Sequence, residues 1–257
     1  MTQVFNDLAE WQSLRNATVW IDKTIGLVPT MGNLHAGHKS LLQRSVAENA
    51  ITVLTIFVNP TQFSDPLDLN NYPKTLQEDL NLAEATKVDY VLIPQYKDIY
   101  ADDYRYKICE NELSKQLCGK QRAGHFEGVM TVVLKLLMLV KAHNAYFGEK
   151  DFQQLQLIKG LAQAFFIDTN IIACPTIRNE QGLALSSRNN LLTPAQLKLA
   201  QAFPKLLNAN LTIPQIIQQL TQLGFSVDYI EEHSARRFGA VRLGAVRLID
   251  NFAVREW

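Results

Sequence analysis

Three absences narrow this chain of 257 residues before any motif is read. Cysteine is scarce. Cys109, Cys118 and Cys174 make an odd count with no Cys-x-x-Cys spacing. That argues against a disulfide framework or a thiolate zinc site and fits a reducing, cytoplasmic setting. Neither sign of charge is in excess, with 25 Lys plus Arg against 25 Asp plus Glu. A coat for nucleic acid or for an anionic membrane is not expected, so any basic patch is local and matched to a small anion. Long apolar runs are missing too. The longest, residues 129–140, is shorter than a bilayer span and is interrupted by Lys135. The N-terminal residues show no basic segment followed by an apolar one, so a secretory signal is not expected.

What is present is a core and a rhythm. Apolar residues make up 47% of the chain, enough for one large domain or two unequal ones. Strand-like runs at 24–28, 51–58, 88–93, 145–147 and 170–173 alternate with helical patterns at 38–49, 76–85, 129–141 and 151–166. This texture predicts βαβ units, a parallel sheet covered by helices, and ligands at the carboxyl ends of its strands. After Cys174-Pro175 it changes. Helices are expected at 194–208 and 214–223, then strands at 225–230 and 246–249. The fold class is therefore α/β, a Rossmann-like domain over residues 1–175 followed by a small α+β domain over 176–257. The block Gly239-Ala240-Val241-Arg242-Leu243 recurs immediately as Gly244-Ala245-Val246-Arg247-Leu248. Five residues are too few for a structural repeat, and a hairpin arm or local insertion is the simpler reading.

Two stretches concentrate polar chemistry. Pro29-Thr30-Met31-Gly32-Asn33-Leu34-His35-Ala36-Gly37-His38 joins a strand to a helix. A helix start attracts phosphate through free amides and its dipole, and His35 and His38 are spaced to face one way. Such a pair is a candidate donor set for a phosphoryl transition state. Equally, an isolated His-x-x-His commonly caps a turn, with one ring packed and the other solvated. There is no His-Glu-x-x-His and no evident third ligand for a metal, and this turn carries neither Gly-x-Gly-x-x-Gly nor Gly-x-x-x-x-Gly-Lys. The second stretch, Leu185-Ser186-Ser187-Arg188-Asn189, offers hydroxyls and a forked cation suited to a triphosphate tail. Between them, Gly148-Glu149-Lys150-Asp151 ends a strand and opens a helix. Lys150 is placed as a point charge for phosphate, and Asp151 as a cap, a ribose ligand or both. Of Gln153 and Gln154, one is expected to face the rim and one to face away. Gln62 sits in a loop after a strand, where an amide can bind hydroxyl and carboxylate together. The glycine-punctuated residues 122–128 read as a flap or substrate loop. His143 and His233 are expected to be packed or solvated without a role in chemistry.

Taken in order, these stretches resemble the pantothenate synthetase (pantoate–β-alanine ligase) family. The likeness runs through Pro29 to His38, Ile56-Phe57-Val58-Asn59-Pro60-Thr61-Gln62-Phe63, Tyr72-Pro73-Lys74-Thr75, Gly124-His125-Phe126-Glu127-Gly128-Val129, Ala145 to Leu155, Gly182 to Asn189, Val227-Asp228-Tyr229-Ile230-Glu231 and Arg247-Leu248-Ile249-Asp250-Asn251. The resemblance implies ATP-dependent joining of pantoate to β-alanine through a pantoyl adenylate. It implies an ATP site of Met31, Gly32, Asn33, Leu34, His35, Ala36, Gly37, His38, Gly148, Glu149, Lys150, Asp151, Ile177, Leu185, Ser186, Ser187 and Arg188. His38 is then the proton donor, with His35, Lys150, Ser187 and Arg188 as its catalytic company. Gln62 and Gln154 bind pantoate, and Gln62 also meets β-alanine. Mg²⁺ bridges phosphate oxygens with few protein ligands, and the enzyme is a cytoplasmic homodimer binding neither nucleic acid nor membrane. The chain departs from the family at Leu67-Asp68, where a Glu-Asp pair is usual, at Lys74, where arginine is usual, and in a shortened segment between Tyr229 and Arg247. Two rivals remain at this stage: another nucleotidyltransferase needing no second acceptor, and a nucleotide-binding regulator without chemistry.

Overall fold

Strand and helix alternate along the first two-thirds of the chain, as its texture requires. The structure is a computed structural model and describes residues 1–17 and 20–254. In chain order the elements are β1 (Gln3–Phe5), α1 (Leu8–Arg15), β2 (Ile25–Thr30), α2 (Ala36–Glu48), β3 (Ile51–Ile56), α3 (Pro66–Asn70) and α4 (Leu76–Ala85). Then come β4 (Tyr90–Leu92), α5 (Tyr96–Ile99), α6 (Leu117–Gln121), α7 (His125–Val140), β5 (Asn144–Gly148), α8 (Phe152–Ala164) and β6 (Asn170–Cys174). The remainder holds α9 (Pro194–Ala200), α10 (Ala202–Leu207), α11 (Ile213–Gln222), β7 (Ser226–His233), β8 (Arg236–Leu243) and β9 (Val246–Ala253).

Six strands form one parallel sheet in the order β1-β4-β3-β2-β5-β6. Every residue of β3 is buried, as expected where helices cover both faces. One face carries the large apolar cluster that includes α7 and α8; the other packs α2 and α4 through Leu41, Leu42 and Ala83. The strand order reverses between β2 and β5. There β2 stays paired with β3 through Thr30 but meets β5 only at Gly26 and Leu27. The two strands thus part on their carboxyl side, and Pro29 costs the β2–β5 ladder no amide. A crevice at a switch point is where ligands of open α/β sheets bind.

The C-terminal part builds an antiparallel sheet, β7-β8-β9, backed by α10 and α11 around Phe203, Leu207, Ile216 and Leu220. The duplicated pentapeptide is a hairpin: Val241 pairs with Leu248 and Arg242 with Arg247 across a Gly244–Ala245 turn. The edge strand β1, three residues long and without a readable alternation, was not expected, and two expectations needed revision. The helix expected at 194–208 breaks at Gln201, because Pro204 has no amide to give and is accommodated in the first turn of a new helix. Residues from His125 onward are the first turn of α7, not an open flap.

Candidate active site

The crevice between β2 and β5 is built by capping. His35 is the N-cap of α2, and its Nδ1 accepts the Gly37 amide at 3.1 Å. Three residues on, the Nδ1 of His38 accepts the His35 amide at 3.2 Å. The two imidazoles therefore form a reciprocal capping box, which is the capping role left open by the sequence. A backbone N–H can only donate, so each ring's Nδ1 is an acceptor and each neutral ring carries its proton on Nε2. The rings lie 4.1 Å apart, centre to centre. Burial, aided by nearby Lys150, pushes His35 down to about 4; burial and the neighbouring His35 push His38 down to about 3. The pair thus presents two neutral Nε2–H donors.

The loop ahead of this cap is held by a residue that sequence reasoning missed. Asp79 on α4, 2% exposed, accepts the amides of Asn33 at 2.9 Å and Leu34 at 2.7 Å. Gly32 turns the chain at φ +77, and a Cβ there would stand 3.0 Å from the Asp79 carboxylate. Nothing in the sequence distinguishes Asp79 from the other acids of an outwardly polar helix.

Gln62 lies at the end of the turn after β3. The hydroxyls of Tyr100 and Thr61 donate to Asn59 Oδ1 at 2.9 and 3.0 Å. The Asn59 amide then donates to Gln62 Oε1 at 3.1 Å. This relay engages one lone pair of the Gln62 oxygen, while its Nε2 donates to Met31 Sδ at 3.1 Å on the cleft wall. Asn59, 1% exposed, belongs to the site for that reason. The α7 start docks directly on this turn. A Cβ at Gly128 would lie 2.4 Å from the Thr61 carbonyl oxygen, so only glycine permits the approach.

His125 is buried there as well. Arg122 donates to its Nε2 at 2.9 Å, which leaves the ring proton on Nδ1 for the Gln62 carbonyl at 2.7 Å. Burial and Arg122 push His125 down to about 3.

Opposite, the turn after β5 supplies Lys150 and Asp151. Asp151 is the N-cap of α8 but makes no side-chain cap bond. Its carboxylate pairs with Lys150 Nζ at 3.5 Å instead. Desolvation raises its pKa, but Lys150 and Arg188 outweigh that and hold it below the usual carboxylate range. Gln153 points away and ties α8 to Cys118, Leu113 and Gln116, whereas Gln154 faces the cleft. Arg188 reaches over from the far loop to Asp68 at 2.8 Å.

A cavity of about 250 Å³ gathers Met31, His35, Gly37, His38, Gln62, Gly148, Lys150, Asp151, Gln154, Ile177, Leu185, Ser186, Ser187 and Arg188. A second, of about 890 Å³, adjoins it toward the C-terminal sheet and shares Arg122, His125, Lys150, Asp151, Gln154, Ser186 and Arg188. Gly32, Asn33, Leu34, Ala36 and Glu149 do not line the smaller cavity. The first three shape the capping loop, Ala36 is exposed, and the Glu149 carbonyl accepts from Asn251. His143 caps the Ile25 amide at 3.0 Å and His233 pairs with Glu231 at 2.9 Å, both away from the cleft.

Comparison with known proteins finds relatives along almost the whole chain. The family profile described as pantoate-beta-alanine ligase matches residues 3–253. A pantothenate synthetase of Coxiella burnetii is 54% identical over 251 residues, covering 98% of this chain and 96% of that one. A Legionella pneumophila pantothenate synthetase is 50% identical over 250 residues, covering 97% of this chain and 99% of its own. Among solved structures, the pantoate-beta-alanine ligase of Francisella tularensis, complexed with β-γ ATP and β-alanine, superposes with a TM-score of 0.94 at 41% identity and 98% coverage of each chain.

Proposed function

Because the chain belongs to the pantoate–beta-alanine ligase family, we propose a division of labour within its cleft for the reaction it catalyses, the ATP-dependent condensation of pantoate with β-alanine. A carboxylate is a poor acyl donor until its oxygen joins a good leaving group. In the first step a pantoate oxygen attacks the α-phosphorus, the bond to pyrophosphate breaks, and pantoyl adenylate forms. In the second the β-alanine amine attacks the acyl carbon and AMP leaves. Both steps ask the protein mainly for positioning and charge stabilisation.

The observation that carries the assignment is convergence. Two Nε2–H donors, an ammonium group and a guanidinium from three separate loops line one cavity. His38 and His35 donate to α-phosphoryl oxygens as negative charge builds, Lys150 spans the α- and β-phosphates, and Ser186, Ser187 and Arg188 hold the tail. Met31, Gly37, Gly148, Asp151, Ile177 and Leu185 bound the nucleoside. Gln62, oriented by the Asn59 bond to its oxygen, binds pantoate through its amide from one side and Gln154 binds it from the other; Gln62 also stands where β-alanine arrives. Asp68 occupies Arg188 until phosphate replaces it. Mg²⁺, when bound, would offset the negative charge of the triphosphate; Asp68 and Asp151, each already engaged by a cation, would be the cleft carboxylates available to it. Residues 1–175 act as the nucleotide- and pantoate-binding domain and 176–257 as a lid with its own apolar cluster. A cytoplasmic homodimer completes the reading, the location supported by three free cysteines.

The test is product analysis with ATP, pantoate and β-alanine. Pantothenate and AMP should appear in equal amounts and only when all three are present. AMP production indifferent to β-alanine would favour the simpler nucleotidyltransferase.

A further inference from the structure

We propose that Arg122 is the anchor for the carboxylate of β-alanine. The proposal rests on the ligase reading above and adds to it the residue that selects the second substrate.

Other cations around the cleft already have carboxylates. Lys150 pairs with Asp151, Arg188 with Asp68, Arg247 with Asp228, and Arg178 with Asp250. Arg122, among the described residues, forms no ion pair. It donates to His125 Nε2 and, at 3.3 Å, to the Gln62 carbonyl. Those two bonds hold the guanidinium plane and leave further N–H groups of its fork uncommitted. A planar fork with free donors is shaped for a carboxylate. Burial, with Arg188 and Arg247 close by, pushes Arg122 down to about 10, so an arriving anion relieves a cost already present.

Position selects which carboxylate. Arg122 lines both cavities, at the junction where an acyl group activated in the smaller one meets a nucleophile entering through the larger. The pantoate carboxylate is committed to the α-phosphorus beside His35 and His38, and the phosphate tail to Ser187 and Arg188. The remaining anionic group of the reaction sits at the far end of the amine nucleophile. Holding that end on Arg122 leaves the amine free to face the acyl carbon next to Gln62, whose backbone carbonyl Arg122 already touches. The His125 ring fixes this geometry, because its tautomer is set by the bonds on both of its nitrogens.

The test separates the two half-reactions in the intact enzyme. Pantoate-dependent exchange of pyrophosphate into ATP reads the first step alone. Amide formation with β-alanine, or with its neutral analogue 3-aminopropanamide, reads the second. Arg122→Gln should raise the KM for β-alanine at least about 10-fold, the loss expected for charge-assisted hydrogen bonds, and should abolish the preference for β-alanine over the amide. Pantoate-dependent exchange should stay within about 3-fold of the parent. Arg122→Lys, which keeps the charge and loses the fork, should fall between the two and guards against misfolding of the glutamine variant. An unchanged β-alanine KM in both variants, or exchange falling in step with amide formation, would overturn the assignment. Absence of any pantoate-dependent exchange in the unsubstituted enzyme would count instead against the ligase reading itself.

Discussion

A hydrogen bond to the backbone decides what each histidine of the cleft can do. With Nδ1 occupied in both rings, His35 and His38 offer Nε2–H and have no free lone pair for general-base work. His38→Ala should therefore leave ATP binding within a modest factor while lowering adenylate formation at least ~100-fold, the scale of a positioned donor; near-normal single-turnover rates would remove His38 from the chemistry. The same environment predicts a pH effect. His35, His38 and His125 stay neutral in the fold down to about 4, 3 and 3, whereas in the unfolded chain they protonate near 6.5. Above that value both states are neutral and stability is flat. Below it the unfolded state binds more protons, so the stability these rings contribute falls as pH drops from about 6.5 to the folded values of about 4 and 3. His125→Gln should flatten that slope in thermal melts, and an unchanged slope would show that the buried ring is not its source. His35 and His38 could be placed together at a helix start from their spacing alone, because a strand run and a helical run flank them, although the same spacing also serves the capping box seen here. Asp79 and Asn59 were not legible, because an acid on a helix and an amide in a loop have many structural uses.

Elements, not single side chains, carry the catalytic groups into register. One such coupling joins β9 to the turn after β5. Asn251, 5% exposed, donates to the carbonyls of Glu149 at 3.0 Å and Lys150 at 2.9 Å, and its oxygen accepts from Arg236. Asn251→Asp would set a carboxylate against two carbonyls, and each buried group left unpaired costs about 1–3 kcal/mol. The ATP KM should rise more in Asn251→Asp than in Asn251→Ala, with both melting below the parent; the opposite order would mean that the amide does not position the Lys150 turn. At this scale the sequence was informative where period and length agree. The β-branched run of β3 and the βαβ alternation announce a parallel sheet. Short pieces carried no such signal: β1 is an edge strand defined by its partner β4, and the α9–α10 break depends on one proline.

At the scale of the whole molecule, an antiparallel sheet is docked beside a switch-point crevice and lines the larger cavity that adjoins it. The sheet reaches both sides of the cleft chemistry, through Asn251 on the Lys150 turn and through Arg247, which donates to Cys118 Sγ at 3.5 Å near the Arg122 loop. The C-terminal part could be recognised as separate from its change of texture, but its docking could not. Those contacts join residues more than 100 positions apart, and no local pattern encodes them. The central claim is that pantoate is activated by attack on the α-phosphorus. Pantoate labelled with ¹⁸O in its carboxylate tests it in one turnover with ATP and β-alanine. One labelled oxygen should be found in AMP and none in pyrophosphate. Label in pyrophosphate or inorganic phosphate, or unlabelled AMP beside pantothenate, would contradict the account.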